Sequence, residues 1–333
     1  NSYNFYKDFY EKYNGVSSKQ VDVQIAKLQK EFRQYKKRND EYIDSFNFLF
    51  NKIFLDYELT NPNPLLDNMQ KLCIQLLEFV ENVCIKYDLE WWIDVGNLLG
   101  AVRHGYFVPW DDDVDIGMMR TNYNKFVGVI ENEIREHNLD DIIHSVYKPR
   151  KIDKTEVGSF IQLYVRHPVS NKPNPRLAGV DVFPYDYIRD YNKESINDEY
   201  YDAKRRYYRN LSKNIDYEVC LKGLYDDLNL SKEKTDYVIP GVEGGFGKYN
   251  IYKLMILDTD KVFPLTQLKY GDRTFPAPKD YHYYLKNVYG DYMSVPKNLH
   301  RHPRIENLRY ATDANEVYEK LINRFITVNE NFK

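Results

Sequence analysis

Cysteine is scarce in this 333-residue chain: Cys73, Cys84 and Cys220 are all it has, an odd number at no metal-ligand or disulfide-framework spacing. That spacing excludes a thiolate metal centre and a disulfide scaffold, and three core thiols in a reducing compartment are the expectation. Long hydrophobic runs are missing as well. No apolar stretch approaches the ~20 residues that cross a bilayer, and the first residues lack a signal-peptide pattern. The expected location is therefore cytoplasmic, at most at the inner face of the cell membrane. The chain opens on Asn1 rather than a methionine, which is compatible with a removed leading segment, an anchor included. An excess of one charge is the third absence. Lys and Arg total 47 against 50 Asp and Glu, so the formal net charge of −3 supplies no basic field for non-specific nucleic-acid binding. Internal repeats and low-complexity runs are lacking too.

Tyrosine is what the chain has in abundance, with 32 copies. A phenol ring offers a flat apolar face and one hydroxyl, which suits sugar contacts and ordinary packing alike.

Patterning divides the chain into a helical appendage over residues 1–60, a mixed α and β catalytic domain over 61–312, and a C-terminal helix over 313–333 that packs on it. In the appendage, Val21, Ile25, Leu28, Phe32 and Tyr35 recur at helical spacing. A second helix carrying Tyr42, Phe46, Leu49, Ile53 and Phe54 is predicted before Asn61-Pro62-Asn63-Pro64 breaks it. Another helix spans Leu65 to about Tyr87. The period then changes to strand at Trp91 to Val95, turn at Gly96-Asn97, short helix from Leu98 to Arg103 and strand again from Val114 to Met118. Thr121 is placed to cap a helix through Ile134, and strands follow at Phe160 to Val165 and Gly179 to Phe183. Residues 192–213 are helical in period and dense in Tyr and Arg, as a solvated face or as a contact with an acceptor or membrane surface. Phe275-Pro276-Ala277-Pro278 leads into a last helix of this domain, stopped at Gly290.

Chemistry concentrates between Trp92 and Gly117. Asp113 and Asp115 are one residue apart, so on a strand both carboxylates point to one face. Such a pair repels itself unless a cation intervenes, and an all-oxygen site suits Mg²⁺ or Mn²⁺ with water and substrate phosphate filling the remaining positions. Gly96 lets a ligand approach the backbone closely, and the helix start at Asn97 offers free N–H groups to a phosphate. Arg103 and His104, further along that helix, are candidates for a second phosphate or the leaving group. Asp111 and Asp112 extend the acidic run. A solvated charge run or a calcium loop is the alternative for all three consecutive aspartates, although they lead directly into apolar Val114 and Ile116.

The run Gly96-x-Leu-Leu-Gly-Ala-x-Arg-His-Gly105, followed by Pro109-Trp-Asp-Asp-Asp-x-Asp115, resembles the LicD family, which includes bacterial phosphocholine transferases and, more distantly, fukutin and fukutin-related protein. The resemblance continues through Val180-Asp181-Val182-Phe183-Pro184-Tyr185-Asp186, Phe275 to Tyr281 and Tyr289 to Met293, covering roughly residues 65 to 303. It implies an α+β nucleotidyltransferase-type core, a mixed sheet flanked by helices, in which Asp181 is the third carboxylate beside Asp113 and Asp115. A buried Asp181 between Val180 and Val182 would be costly without a cation or partner, a salt bridge being the plain alternative. Asn97 stands where the family has a small hydroxyl residue, and a Phe-Glu-Gly-like string expected near Tyr270-Gly271-Asp272 is absent. His300 and His302 fall where the family tends to carry a histidine.

What the resemblance implies chemically is transfer of a phospho-group from a CDP-linked donor to a glycan or lipid-linked glycan, a teichoic-acid-type acceptor included, with CMP leaving and a pair of Mg²⁺ or Mn²⁺ ions bound by Asp113, Asp115 and Asp181. Asp181, Asp111 or Asp112 would take the acceptor proton. CDP-choline ranks first as donor and CDP-ribitol or CDP-glycerol second. Choline would need an aromatic cage, for which Trp110 beside the aspartates is the better candidate, with Trp92 assigned to the core. Two rivals stand beside this reading: a glycosyltransferase that uses Asp113 and Asp115 to hold a nucleotide sugar, and a non-catalytic glycan-binding protein.

Overall fold

In the computed structural model, the described residues are 12, 18–56, 64–146, 150–152, 155–157, 160–167, 176–244, 246, 253–294 and 314–332. The candidates His300 and His302 lie outside them. The elements run α1 (Ser18–Asp56), α2 (Pro64–Lys86), β1 (Trp92–Ile93), α3 (Val95–His104), β2 (Val114–Met119), α4 (Arg120–Glu136), β3 (Ile143–Val146), β4 (Arg150–Ile152), β5 (Thr155–Val157), β6 (Ile161–Arg166) and β7 (Arg176–Ile188). They continue as α5 (Ile196–Ser212), α6 (Tyr217–Asp227), β8 (Leu230–Ser231), β9 (Tyr237–Pro240), β10 (Leu257–Asp258), α7 (Thr259–Val262), β11 (Thr266–Tyr270), β12 (Arg273–Ala277), α8 (Tyr281–Tyr289) and α9 (Ala314–Glu330). The mixed α+β class expected from the sequence is what folds. Helix α1 belongs to one compact unit and the other elements to a second. No helix among the described residues is long and apolar enough to cross a membrane.

The centre is a sheet in the order β1-β2-β7-β6-β3, extended from β7 by β8 and β9 and from β9 by β10. Strands β2 and β7 run parallel, and the other pairings of this sheet are antiparallel among the described strands. Parallel neighbours need a crossover, and the chain between β2 and β7 supplies it through α4 and the β3 to β6 segment. Apolar residues alternate inward along β2, where Val114 and Ile116 are fully buried and Asp115 half-buried, with Asp113 half-buried just ahead of the strand. Helix α2 buries Met69, Leu72, Leu76, Phe79 and Val83 on one stripe, the i, i+3, i+4, i+7 pattern of a helix packed on a core. Helix α9 packs beside it, with Asn329 Nδ2 donating to the Gln75 carbonyl at 3.0 Å.

Three local expectations are corrected. The two N-terminal helices are one, because residues 36–41 carry no breaker and simply continue the turn pattern. The strand expected to reach Val95 stops at Ile93, since Asp94 accepts a hydrogen bond from Val95 N and caps α3 one turn earlier than the glycine suggested. Helix α4 begins at Arg120 without a side-chain cap, so Thr121 does not cap it.

Among the described residues, most tyrosines pack in or against the two apolar clusters. Tyr123, Tyr185, Tyr200, Tyr270, Tyr284 and Tyr318 are fully buried, and each spends its hydroxyl on a cross-link. Tyr123 accepts from Ile161 N, Tyr200 donates to the Gly241 carbonyl and Tyr318 to the Leu177 carbonyl. A buried phenol pinned in this way ties together elements distant in sequence. On α5, Tyr200, Tyr207 and Tyr208 face a second apolar cluster while Arg205, Arg206 and Arg209 face solvent.

Candidate active site

The site is built where α3 starts beside the N-terminal end of β2, which pairs with the middle of β7. Register decides the key pair: Asp115 on β2 lies directly opposite Asp181 on β7, and Asp181 opposite Gln162 on β6. Residues in register on neighbouring strands share a face, so these three side chains form a polar row across the sheet. Each is half-buried between fully buried apolar neighbours on its own strand. Gln162 Nε2 donates to both Asp181 oxygens, at 3.0 and 2.9 Å.

Asp111, Asp112 and Asp113 approach along the loop before β2, and among the described residues they are the group whose ligand oxygens all lie within 4.8 Å of one another. The loop is held from below by α2. Gln70 Nε2 donates to the Asp111 carbonyl at 2.8 Å and Cys73 Sγ to the Asp112 carbonyl at 3.8 Å. Gly100 makes the route possible. A Cβ there would sit 2.4 Å from the Tyr106 carbonyl oxygen, so any larger residue would push away the segment that doubles back along α3 toward the aspartates.

Gly96 faces the carboxylates directly: a Cβ built on it would lie 3.0 Å from Asp111 Oδ2 and 3.4 Å from Asp115 Oδ2. Its role is thus to let two carboxylates crowd the first turn of a helix. Burial, and then the charges of Asp113, Asp181, Asp111 and Asp94, push the Asp115 carboxyl well above the usual range. Without a counter-ion the cluster is electrostatically frustrated. Its donor set is all oxygen and all carboxylate, which fits a hard divalent cation.

Asn97 is corrected in role. Expected to offer its amide to a phosphate, it is buried and committed to the protein: Oδ1 accepts from Asp115 N at 2.5 Å, while Nδ2 donates to Tyr270 Oη at 3.0 Å and the Asp113 carbonyl at 3.4 Å. It therefore fixes the backbone that carries both metal-ligand candidates. Arg103 and His104 are set apart from the first turn of α3. They sit at the C-terminal end of α3, about 12 Å along the axis from its first turn. Arg103 is buried and donates from Nε to His104 Nε2 and from Nη1 to the Tyr292 carbonyl, both at 2.9 Å. Burial, reinforced by Arg103, pushes His104 down to about 3, so it is neutral near pH 7. Trp110 is half-buried against the core beside the aspartate loop, and Trp92 is buried.

The sequence reading missed Asp94. It is fully buried, accepts from Val95 N at 3.0 Å and from Tyr185 Oη at 2.7 Å, and also accepts from Tyr284 Oη. Its own N–H donates to the Asp115 carbonyl at 2.9 Å, so the cap of α3 and the strand bearing Asp115 are one assembly. Val95, next to it, has φ of 26°, a costly value for a β-branched residue that this packing enforces. Burial pushes Asp94 up to about 6, against the lowering effect of the Tyr284, Tyr185 and Val95 hydrogen bonds. Asp94→Ala should cost about 2–3 kcal/mol in urea unfolding, from a lost cap and two buried hydroxyls without their acceptor. Asp94→Asn, which keeps an acceptor oxygen, should cost less; equal losses would show that the hydrogen bonds are not what matters. Gln162, Gln70 and Tyr270 were also missed, because a single polar residue within an apolar pattern does not announce its partner.

Residues 88–215 match the family described as "LicD/FKTN/FKRP, nucleotidyltransferase domain". The chain carries a LicD-family domain. All six aspartates of the cluster and its support, Asp94, Asp111, Asp112, Asp113, Asp115 and Asp181, fall inside it. Over 257 residues the chain is 23% identical to the lipopolysaccharide cholinephosphotransferase LicD of Haemophilus influenzae, covering 72% of this chain and 95% of that protein. Over 40 residues it is 45% identical to the ribitol 5-phosphate transferase FKRP of mouse and of human, covering 12% of this chain and 8% of those proteins. The LicD resemblance therefore extends well beyond the domain core, while the FKRP resemblance is confined to a short segment.

Proposed function

We propose that the chain is a LicD-type phosphotransferase that moves a substituted phosphate, phosphocholine first, from a CDP-linked donor to a hydroxyl of a glycan or lipid-linked glycan, with release of CMP. The observation that carries this reading is the pairing of Asp115 with Asp181 across parallel strands, close enough to Asp111 and Asp113 for their charges to act on Asp115. Asp113, Asp115 and Asp181 would hold Mg²⁺ or Mn²⁺, and Asp111 is close enough to Asp115 at Gly96 to join them. A bound divalent ion supplies charge neutralisation of the diphosphate and polarisation of the attacked phosphorus. The chain's own groups do the rest. Gln162 fixes the Asp181 carboxylate, Asn97 fixes the backbone of Asp113 and Asp115, and a carboxylate of the cluster accepts the acceptor's proton as its oxygen bonds to phosphorus and the bond to CMP breaks.

Gln162→Ala tests the support of Asp181. Losing a hydrogen bond that orients a metal-ligating carboxylate costs about 10–100-fold in activity or metal affinity. A weaker metal response at nearly unchanged melting temperature is expected in steady-state assays, and an unchanged metal titration would remove Gln162 from the site.

The function itself is tested by incubating the protein with CDP-choline, CDP-ribitol, CDP-glycerol, and UDP- and GDP-sugars in the presence of Mg²⁺ or Mn²⁺, reading the nucleotide released. CMP from CDP-choline is the expected product. CMP from the polyol donors alone would shift the head group toward the activity named for FKRP, and UDP or GDP would replace this reading by glycosyl transfer. A protein that releases no nucleotide, yet binds glycan equally well with EDTA and as Asp113→Ala, would be a binding module.

A further inference from the structure

Helix α1 has a feature that phosphotransfer does not use. Its 39 residues run unbroken, and the continuity joins two apolar stripes into one. Ile25, Phe32, Asn39, Phe46 and Ile53 are seven residues apart, and Val21, Leu28, Tyr35, Tyr42 and Leu49 form a second series of period seven set between them. The steps alternate four and three along the whole helix. A straight helix of 3.6 residues per turn lets such a stripe drift by about 20° per heptad, so a strict seven-residue repeat over more than four heptads belongs to helices that wind around one another. Leu28, Phe32, Tyr35, Tyr42 and Phe46 are between 60% and 69% exposed.

We propose that α1 forms a parallel two-stranded coiled coil with the α1 of a second copy of this chain. The seam's polar and charged positions choose that occupant and its direction. Asn39 is the one polar residue of the two series, and in a parallel pair it meets the partner's Asn39 in the same layer, the arrangement by which a lone buried asparagine fixes register in a dimer. Glu31 and Lys36 flank the seam, and in the parallel pair Glu31 faces the partner's Lys36 on both sides. The same seam paired antiparallel would set Lys36 against the partner's Lys36, Arg38 against the partner's Arg38, and Asn39 against the partner's Tyr35. The charges repel in that register, and in any antiparallel register Asn39 faces an apolar or aromatic residue of the other series in place of a second Asn39.

Sedimentation velocity of the full chain, with three variants, tests this. The wild type should sediment as a dimer at micromolar concentration. Leu28→Glu with Tyr35→Glu should be monomeric. Glu31→Lys, an exposed change that leaves the fold alone, should weaken the dimer about 5-fold, and adding Lys36→Glu should restore it. Direction is read separately: the three natural cysteines are buried, so Asn39→Cys should give a disulfide-linked dimer on mild oxidation. A monomeric wild type overturns the proposal. So does a dimer indifferent to the seam and to the charge exchange, or the absence of the Asn39→Cys cross-link.

Discussion

Asp115→Asn is expected to abolish nucleotide release, by about 10³-fold or more in kcat, while raising the melting temperature of the metal-free protein. The two effects have one cause. Asp115 is held among Asp113, Asp181, Asp111 and Asp94 in a partly dry site, which favours its protonated form. Its carboxyl in the folded chain therefore releases its proton at a higher pH than in the unfolded chain. Between those two values the folded state holds the extra proton, so stability falls as pH rises, from the ordinary aspartate value near ~3.9 up through the raised one. In EDTA, thermal melts between about pH 4 and 8 should show this fall in the wild type, and a smaller one in Asp115→Asn. Asp94 adds a fall of the same sign ending near 6, which both proteins keep, so the difference between the two curves reports Asp115. Divalent metal should raise the wild-type melting temperature and leave the variant's nearly unchanged. A variant that melts lower than the wild type, or that keeps its activity within tenfold, would show that the carboxylate is structural.

Arg120→Ala should produce the largest loss of stability, about 3–5 kcal/mol, or a fall in Tm of about 10 °C. Arg120 sits one residue past β2, with its side chain only 6% exposed. It donates to both oxygens of Asp186, from Nε at 3.0 Å and Nη2 at 2.6 Å, and to both oxygens of Glu243, from Nη1 at 2.7 Å and Nη2 at 2.9 Å. Tyr225 adds a hydroxyl to Asp186 and Tyr207 one to Glu243. Burial alone would lower the Arg120 pKa, but the two carboxylates outweigh it and hold the guanidinium charged. Removing it strands two buried anions, which costs far more than the pair contributes relative to apolar residues. Arg120 lies five residues beyond Asp115 along the chain, about 16 Å in a strand, so specific activity per folded molecule should be preserved. A loss below about 1 kcal/mol in urea unfolding would mean that water reaches the network, as it does at surface pairs.

The same residues show how far a sequence reading goes. Alternation placed Asp115 between the apolar Val114 and Ile116 of a strand, with Asp113 just ahead of it in the loop, and the LicD motifs pointed to Asp181, because side-chain direction in a strand has period two and short motifs keep their order. Asn97 and Arg103 were legible as polar residues in a functional segment, but not in their roles. An amide can serve a phosphate or a backbone equally well, and only packing decides which partner is within reach. Asp94 and Gln162 went unnoticed for a related reason: their partners, Tyr185, Tyr284 and Asp181, are between 19 and 190 residues away along the chain.

By itself, then, the sequence determined the class of fold, the acidic motif and the seven-residue stripe of α1, all of which are local in origin. Tertiary structure alone decided that β2 and β7 lie side by side in the register that opposes Asp115 to Asp181, and that Arg103 and His104 close the far end of their helix against the Tyr292 carbonyl. Register and packing depend on which distant surfaces exclude water together, and no window along a chain contains that information.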